Sequence, residues 1–258
     1  MRKLFLTWQD SKSRKWYPIG QLTWDGEVYR FLYISGALSA HNEAGFRPPV
    51  SFLNFHEIYE SSELFPMFAN RVMPASRPEY KQTIEWLALP ESANDPLAFI
   101  ARSGGAKVND KFELFCYPEL DDNSDYNLHF FAHGLRYLPK GSIERIEQMQ
   151  PGEKFLLAHD FQNQFESDAL LLRTPDNHIV GYCPSYLLDD MNEYVRQGKH
   201  IGAYVERVNN GNAPLQFRLL CRLVMPQMSG FQPFSDHDYQ PIAAETEKPL
   251  APVGKAVA

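Results

Sequence analysis

Cysteine is scarce. Cys116, Cys183 and Cys221 are the only three in 258 residues, far apart and with no C-x-x-C pair. An odd, sparse count points to a reducing compartment, expected to be cytoplasmic, and away from a disulfide scaffold or a zinc knuckle. Long apolar runs are also missing. None approaches the roughly 20 residues needed to cross a bilayer, so no membrane partner is expected. The opening MRKLFLTWQDSKSRKW carries a basic pair, but its apolar run breaks at Thr7, Gln9 and Asp10, unlike the core of a secretory leader. Positive charge is the third shortage: 25 Lys and Arg stand against 32 Asp and Glu, a net charge of −7 at pH 7. Non-specific duplex binding is driven by counterion release from many phosphates and needs a basic face, so a long electrostatic track is not expected. A pocket for one or two nucleotides needs only one or two cations and is not excluded. A Gly-rich phosphate loop, a nucleophile–base pair and a metal-ligand cluster are all missing, so a non-enzymatic protein without cofactor or metal is expected.

What remains is ordinary for a globular chain, with 44% hydrophobic and 22% charged residues, and long enough for one large or two small domains. Residues 3–8, 15–24 and 27–34 read as strands rich in Trp, Tyr, Phe, Ile and Leu, with Asp25-Gly26 as a hairpin turn. The segment 36–49, punctuated by Gly36, Gly45 and Pro48-Pro49, reads as a loop. A helix follows from Ser76, with Glu79 completing a capping box. Further on, 111–118 and 126–138 read as strands. On such a strand His129 and His133 stand about 13 Å apart, too far to share a metal. A short helix capped by Ser142, strands at 169–174 and 178–183, a helix at 184–198 capped by Ser185, and a closing hairpin at 201–208 and 215–225 complete the pattern. Asp189 and Asp190 are expected on the solvent side of that last helix. Gly181 is expected where a strand or a ligand comes close to the backbone.

The stretch from His133 to Tyr186 concentrates the chemistry. HGLRYLPKG (133–141) and HDFQNQFESDALLL (159–172), closed by IVGYCPSYLL (179–188), set aromatic rings beside Arg136, Asn163, Glu166 and Asp168. Rings next to an arginine and short polar acceptors suit a small planar ligand carrying phosphate, such as an unpaired nucleotide. Counted by residue type alone, half-buried aromatics on strands are more often core than stacking platforms.

The order GLRY, a short helix, PGEKFLLAHD, NQFESDAL, a strand and VGY before another helix resembles the HIRAN domain over about residues 126–225. That module occurs at the front of helicase-like DNA-repair remodelers and as a free-standing bacterial protein. The resemblance implies a small OB-like β-barrel that binds single-stranded DNA or its 3′ end. Carried over by position, Arg136 would contact a phosphate and Tyr137 a base. In the family the second loop has the form N-P-Y-D-x-N-A-I. Here Phe165 stands where the stacking tyrosine stands, and Glu166 where a carboxylate accepts the terminal 3′-hydroxyl. Asn163, Asp168 and Tyr182 complete the candidate set. Pro184 and Ser185 stand near where eukaryotic members have lysines, so stacking is kept while charge is reduced.

A second, shorter similarity lies upstream. IGQL, WDGEVYRFLY and ELFPMFANRVMP are similar to the N-terminal subdomain of HipA-type toxin kinases, which implies a docking or regulatory fold and a protein partner rather than kinase activity. The expected architecture is therefore α+β and mostly β. A small antiparallel β domain with helices (1–95) is followed by a connecting segment with one strand (96–125), the OB-like barrel (126–225) and a largely disordered tail (226–258).

Overall fold

Strand-forming runs of aromatic and branched residues build two antiparallel sheets joined by short helices. The computed structural model describes residues 2–90, 95–107, 110–209 and 211–243. The first sheet holds β1 (Arg2–Gln9), β2 (Trp16–Trp24), β3 (Tyr29–Tyr33), β4 (Tyr59–Ser61) and β5 (Phe112–Cys116), ordered β4-β3-β2-β1-β5. The Asp25 carboxylate caps the β2–β3 turn by accepting the amides of Glu27 and Val28, at 2.9 and 2.8 Å. The segment 96–125, expected to hold one strand, holds β5, which pairs with β1 from Leu4↔Cys116 to Trp8↔Phe112, and a second short strand at Glu119–Leu120.

The second sheet holds β6 (Glu119–Leu120), β7 (Asp125–Phe131), β8 (Lys154–His159), β9 (Leu170–Arg173), β10 (Ile179–Tyr182), β11 (Gly202–Val208) and β12 (Leu219–Pro226). Its order is β10-β9-β8-β11-β12-β7-β6. The expected barrel is corrected here: no closed barrel forms among the described residues. The sheet curls until the chain just past β7 meets β10, and there the contact is one bridge, His133↔Tyr182, rather than a ladder.

Helices differ from the sequence pattern both in where they form and at their ends. Residues 36–49 are not all loop, because α1 (Gly36–Ala44) lays Ala37 and Ala40 in the core, so its two glycines mark helix ends. The short α2 (Pro66–Ala69) buries Phe68. In α3 (Tyr80–Trp86) Glu79 is the capping position without a side-chain bond, so the capping box from Ser76 does not form. A true cap opens α4 (Pro96–Ser103), where Asp95 accepts the amides of Leu97 and Ala98. In α5 (Lys140–Glu147) Ser142 is buried inside the helix. Residues 185–187 make a 3₁₀ turn before α6 (Leu188–Arg196), and Ser185 caps neither.

Two cores meet at a seam of rings. Phe5 and Phe115 leave the first sheet to join the core of the second, with ring centroids 5.6 Å apart. Phe115 stacks on Tyr186 at 3.9 Å, and Phe5 meets Tyr239 edge-on at 4.8 Å. The seam includes residues beyond β12. Met228, Phe231, Phe234 and Tyr239 are buried, and Pro241 forms an isolated bridge with Ile34, the residue just past β3. The segment expected to be a largely disordered tail is thus a packed strap as far as Ala243, because its apolar residues fill the seam. Residues 244–258 lie outside the described residues.

Asp190 anchors this strap and so does not face solvent as its helical position suggests. It is 9% exposed and accepts the Phe234 amide at 2.8 Å. Burial, reinforced by Asp236 and Asp189, pushes its carboxyl up to about 7, against the pull of that hydrogen bond. An acid whose pKa is raised by folding holds its proton more tightly in the native state, so the stability it contributes is complete below the unfolded value and is lost as pH climbs to about 7. Thermal unfolding from pH 4 to 8 is expected to show this decline, and Asp190→Asn, which keeps an acceptor, to flatten it. An identical profile for the variant would contradict the assignment. Asp190→Ala strands the buried Phe234 amide and is expected to cost about 1–3 kcal/mol.

Candidate functional site

The first clamp begins where β7 runs out. The Ala132 amide still bonds to the Leu219 carbonyl, and His133 and Tyr182 exchange both backbone hydrogen bonds at 3.0 Å. Gly134, with φ of +77°, then turns the chain sharply, and a Cβ there would lie 2.8 Å from the Tyr182 ring. Gly181, at φ +147°, is the matching close approach. A Cβ on it would meet the Ala132 side chain at 2.8 Å, so the neighbour expected at this glycine is a strand end. With Leu135 buried, the 3₁₀ turn Leu135–Tyr137 sends Arg136 and Tyr137 outward. Tyr137 is 78% exposed, and the Arg136 guanidinium lies 5.5 Å from its ring centre.

Asp160 organises the second clamp. Its carboxylate accepts the Tyr182 hydroxyl at 3.0 Å, the Asn163 side-chain amide at 3.4 Å and the Gln162 backbone amide at 3.2 Å. The Asn163 carbonyl oxygen in turn accepts the amides of Phe165 and Glu166, each at 3.0 Å. This is an Asx turn, the use of asparagine that fixes a loop from within. With the polar groups turned inward, the rings point out. Phe161 is 88% exposed and stacks beside His159, and Phe165 is 72% exposed. Glu166 is half-buried, and desolvation chiefly, with Asp168 and Asp189 adding to it, raises its pKa. Asp168 is exposed and accepts the Ser167 hydroxyl at 3.1 Å.

Tyr182 joins the two clamps, its ring against Gly134 and its hydroxyl on Asp160. The seven candidates therefore divide by what their side chains are free to do. Arg136, Tyr137 and Phe165 face solvent, whereas Asn163 and Tyr182 are engaged within the protein and position the others. Sequence reasoning missed Asp160, whose place at the end of β8 gave only a loop signal. It also missed Arg14, in the β1–β2 turn of the other sheet, whose guanidinium lies 5.9 Å from the Phe165 ring.

Beside the first clamp a cleft of about 750 Å³ opens between the sheets. Arg136, Tyr137 and Phe217 line one part of it, and Arg14, Trp16 and Lys111 another. His129 and His133 both reach it, and each has a carboxylate oxygen 3.7 Å away, from Glu206 and Glu113 respectively. Burial, with Arg102 adding to it, lowers His129 to about 4. No cluster of three or more metal-ligating side chains occurs among the described residues.

No protein-family model matches the chain, and no curated protein is a significant match. Two solved structures are similar, each at 17% identity and a TM-score of 0.31. One is a protein from Lactobacillus plantarum, aligned over 39% of this chain and 98% of its own; the other is the HIRAN domain of human HLTF, over 38% and 74%. The HipA-like reading of the N-terminal strands finds no support in either. Similarity of this degree carries no functional argument. The geometry of the clamps has to.

If Asp160 is the hub, Asp160→Ala releases the Tyr182 hydroxyl and the Asn163 amide together. The expected cost is about 1 kcal/mol per lost hydrogen bond, with faster amide hydrogen exchange over residues 161–169. Unchanged exchange in that loop would show that the hub does not hold it.

Proposed function

We propose that this chain binds unpaired nucleic acid, single-stranded DNA or its 3′ end, and that it does so as a non-enzymatic recognition module. One observation carries the reading: Tyr137, Phe161 and Phe165 stand exposed on two loops joined through Tyr182, with guanidiniums against Tyr137 and Phe165. Aromatic residues given over to core packing do not stand 72–88% exposed. Exposed rings on ordered loops suit stacking, since every base has a π-face. Arg136 makes no ion pair among the described residues, so its planar fork is open to two phosphate oxygens.

The charge balance sets the scale of the grip. Over residues 126–225 ten Lys and Arg face eleven Asp and Glu, which suits a short stretch of strand better than a long track. Glu166 occupies the place that, by the HIRAN resemblance, accepts a terminal 3′-hydroxyl. Its ionised form would be the acceptor, so end preference should weaken toward acid pH. A role in DNA repair, mobile-element biology or phage defence would follow from end recognition. A second reading, docking of a toxin kinase or nuclease on the N-terminal sheet, is favoured by Val50 and Leu53, 88% and 67% exposed at the two ends of one 3₁₀ turn.

Fluorescence anisotropy tests the first reading with a short strand bearing a free 3′-hydroxyl, the same strand 3′-phosphorylated, and a blunt duplex. Preference for the free 3′ end is expected. Phe165→Ala should remove a stacking contact of about 1–3 kcal/mol, a loss of roughly 5- to 150-fold in affinity. Arg136→Ala should weaken all single strands by a similar factor. Wild-type affinity in both variants would sink the reading.

A further inference from the structure

We infer that the N-terminal sheet forms one wall of the nucleic-acid site, and that the cleft between the sheets holds the phosphates of the nucleotides next to those gripped by the clamps. This rests on the reading proposed above and extends it from the two loops to a part of the chain with no motif for it.

Placement is the first support. Arg136 and Tyr137 belong at once to the first clamp and to the lining of the cleft. A strand leaving that clamp can enter the cleft without crossing the protein. The second clamp is reached from the same wall, because Arg14 lines the cleft and lies against the Phe165 ring. Arg14 is held there with φ of +67°, a conformation uncommon for a residue with a side chain. The cleft's volume lies within the ~300–1,000 Å³ range of small-ligand pockets, so it suits a short piece of strand.

Charge is the second. Most arginines in this acidic chain are neutralised: Arg2, Arg30, Arg71, Arg145, Arg196, Arg207, Arg218 and Arg222 each pair with a carboxylate. Arg14, Arg102, Lys111 and Arg136 all line the cleft and form no such pair among the described residues; of the other arginines, Arg47, Arg77 and Arg173 also form none, and they lie outside the cleft. Its acids offer little to oppose them. Asp110 is taken by two bonds from Arg71. Glu113 is 17% exposed, and burial raises its pKa. Thus a chain of net charge −7 keeps a locally cationic cleft next to its exposed rings.

The test compares single strands of two and eight nucleotides, each with a free 3′-hydroxyl, over a range of salt. The proteins are the full chain and the Arg14→Asn/Lys111→Ala double variant, asparagine being chosen because it tolerates positive φ. Loss of two phosphate contacts should reduce the slope of log affinity against log salt on the longer strand by about 1.4. The advantage of eight nucleotides over two should shrink toward one. An unchanged slope and length advantage would overturn the inference while leaving the clamps intact. Failure of Arg136→Ala and Phe165→Ala to weaken either strand would remove the underlying reading instead.

Discussion

Much at the site hangs on the backbone pair between His133 and Tyr182. It is where the second sheet, having curled through six strands, brings its far edge back to the end of β7. Two glycines allow it: Gly181 lets β10 approach Ala132, and Gly134 leaves room for the Tyr182 ring. Once the pair forms, the chain after Gly134 has no ladder to continue, and the turn Leu135–Tyr137 follows with one residue in and two out. The side chain of Tyr182 then carries the same constraint to Asp160 and the second loop. A single point of contact thus sets both clamps.

The seam between the sheets gives that arrangement its second dimension. Phe5, Phe115, Tyr186, Phe234 and Tyr239 pack ring against ring across elements more than two hundred residues apart in sequence. Close-packed interiors have low compressibility and so hold geometry across the elements they join. Arg14 in the β1–β2 turn and Trp16 at the start of β2 are therefore fixed relative to Arg136, and the cleft has two walls of defined spacing. The strap beyond β12 is part of the lock, pinned at Asp190 and at the Ile34–Pro241 pair.

Local patterns were legible where local physics decides. Runs rich in aromatic and branched apolar residues marked the strands, Asp25-Gly26 marked its turn, and Gly181 marked a close approach. The ring-and-arginine composition of the clamps was legible as well, although whether rings face core or solvent was not. That depends on Leu135 and the Asx turn of Asn163 taking the inward positions. Relations across distance were illegible. Asp190 reads as one of two surface acids until Phe234 needs an acceptor, and the Met228–Tyr239 stretch reads as a loose tail until the seam needs filling. Arg14 had no sequence signal, since its partner ring lies about 150 positions away. The closed barrel was expected from family resemblance, and the sheet stops one ladder short of it.

Site location is the claim from which the rest follows. The direct measurement is photocrosslinking of a short strand carrying a photoreactive base at its 3′-terminal nucleotide, with the adduct mapped by mass spectrometry. Adducts within the peptides holding Tyr137, Phe161 and Phe165 are expected. Adducts confined to another face, or equal labelling across the surface, would contradict the assignment of the clamps as the binding site.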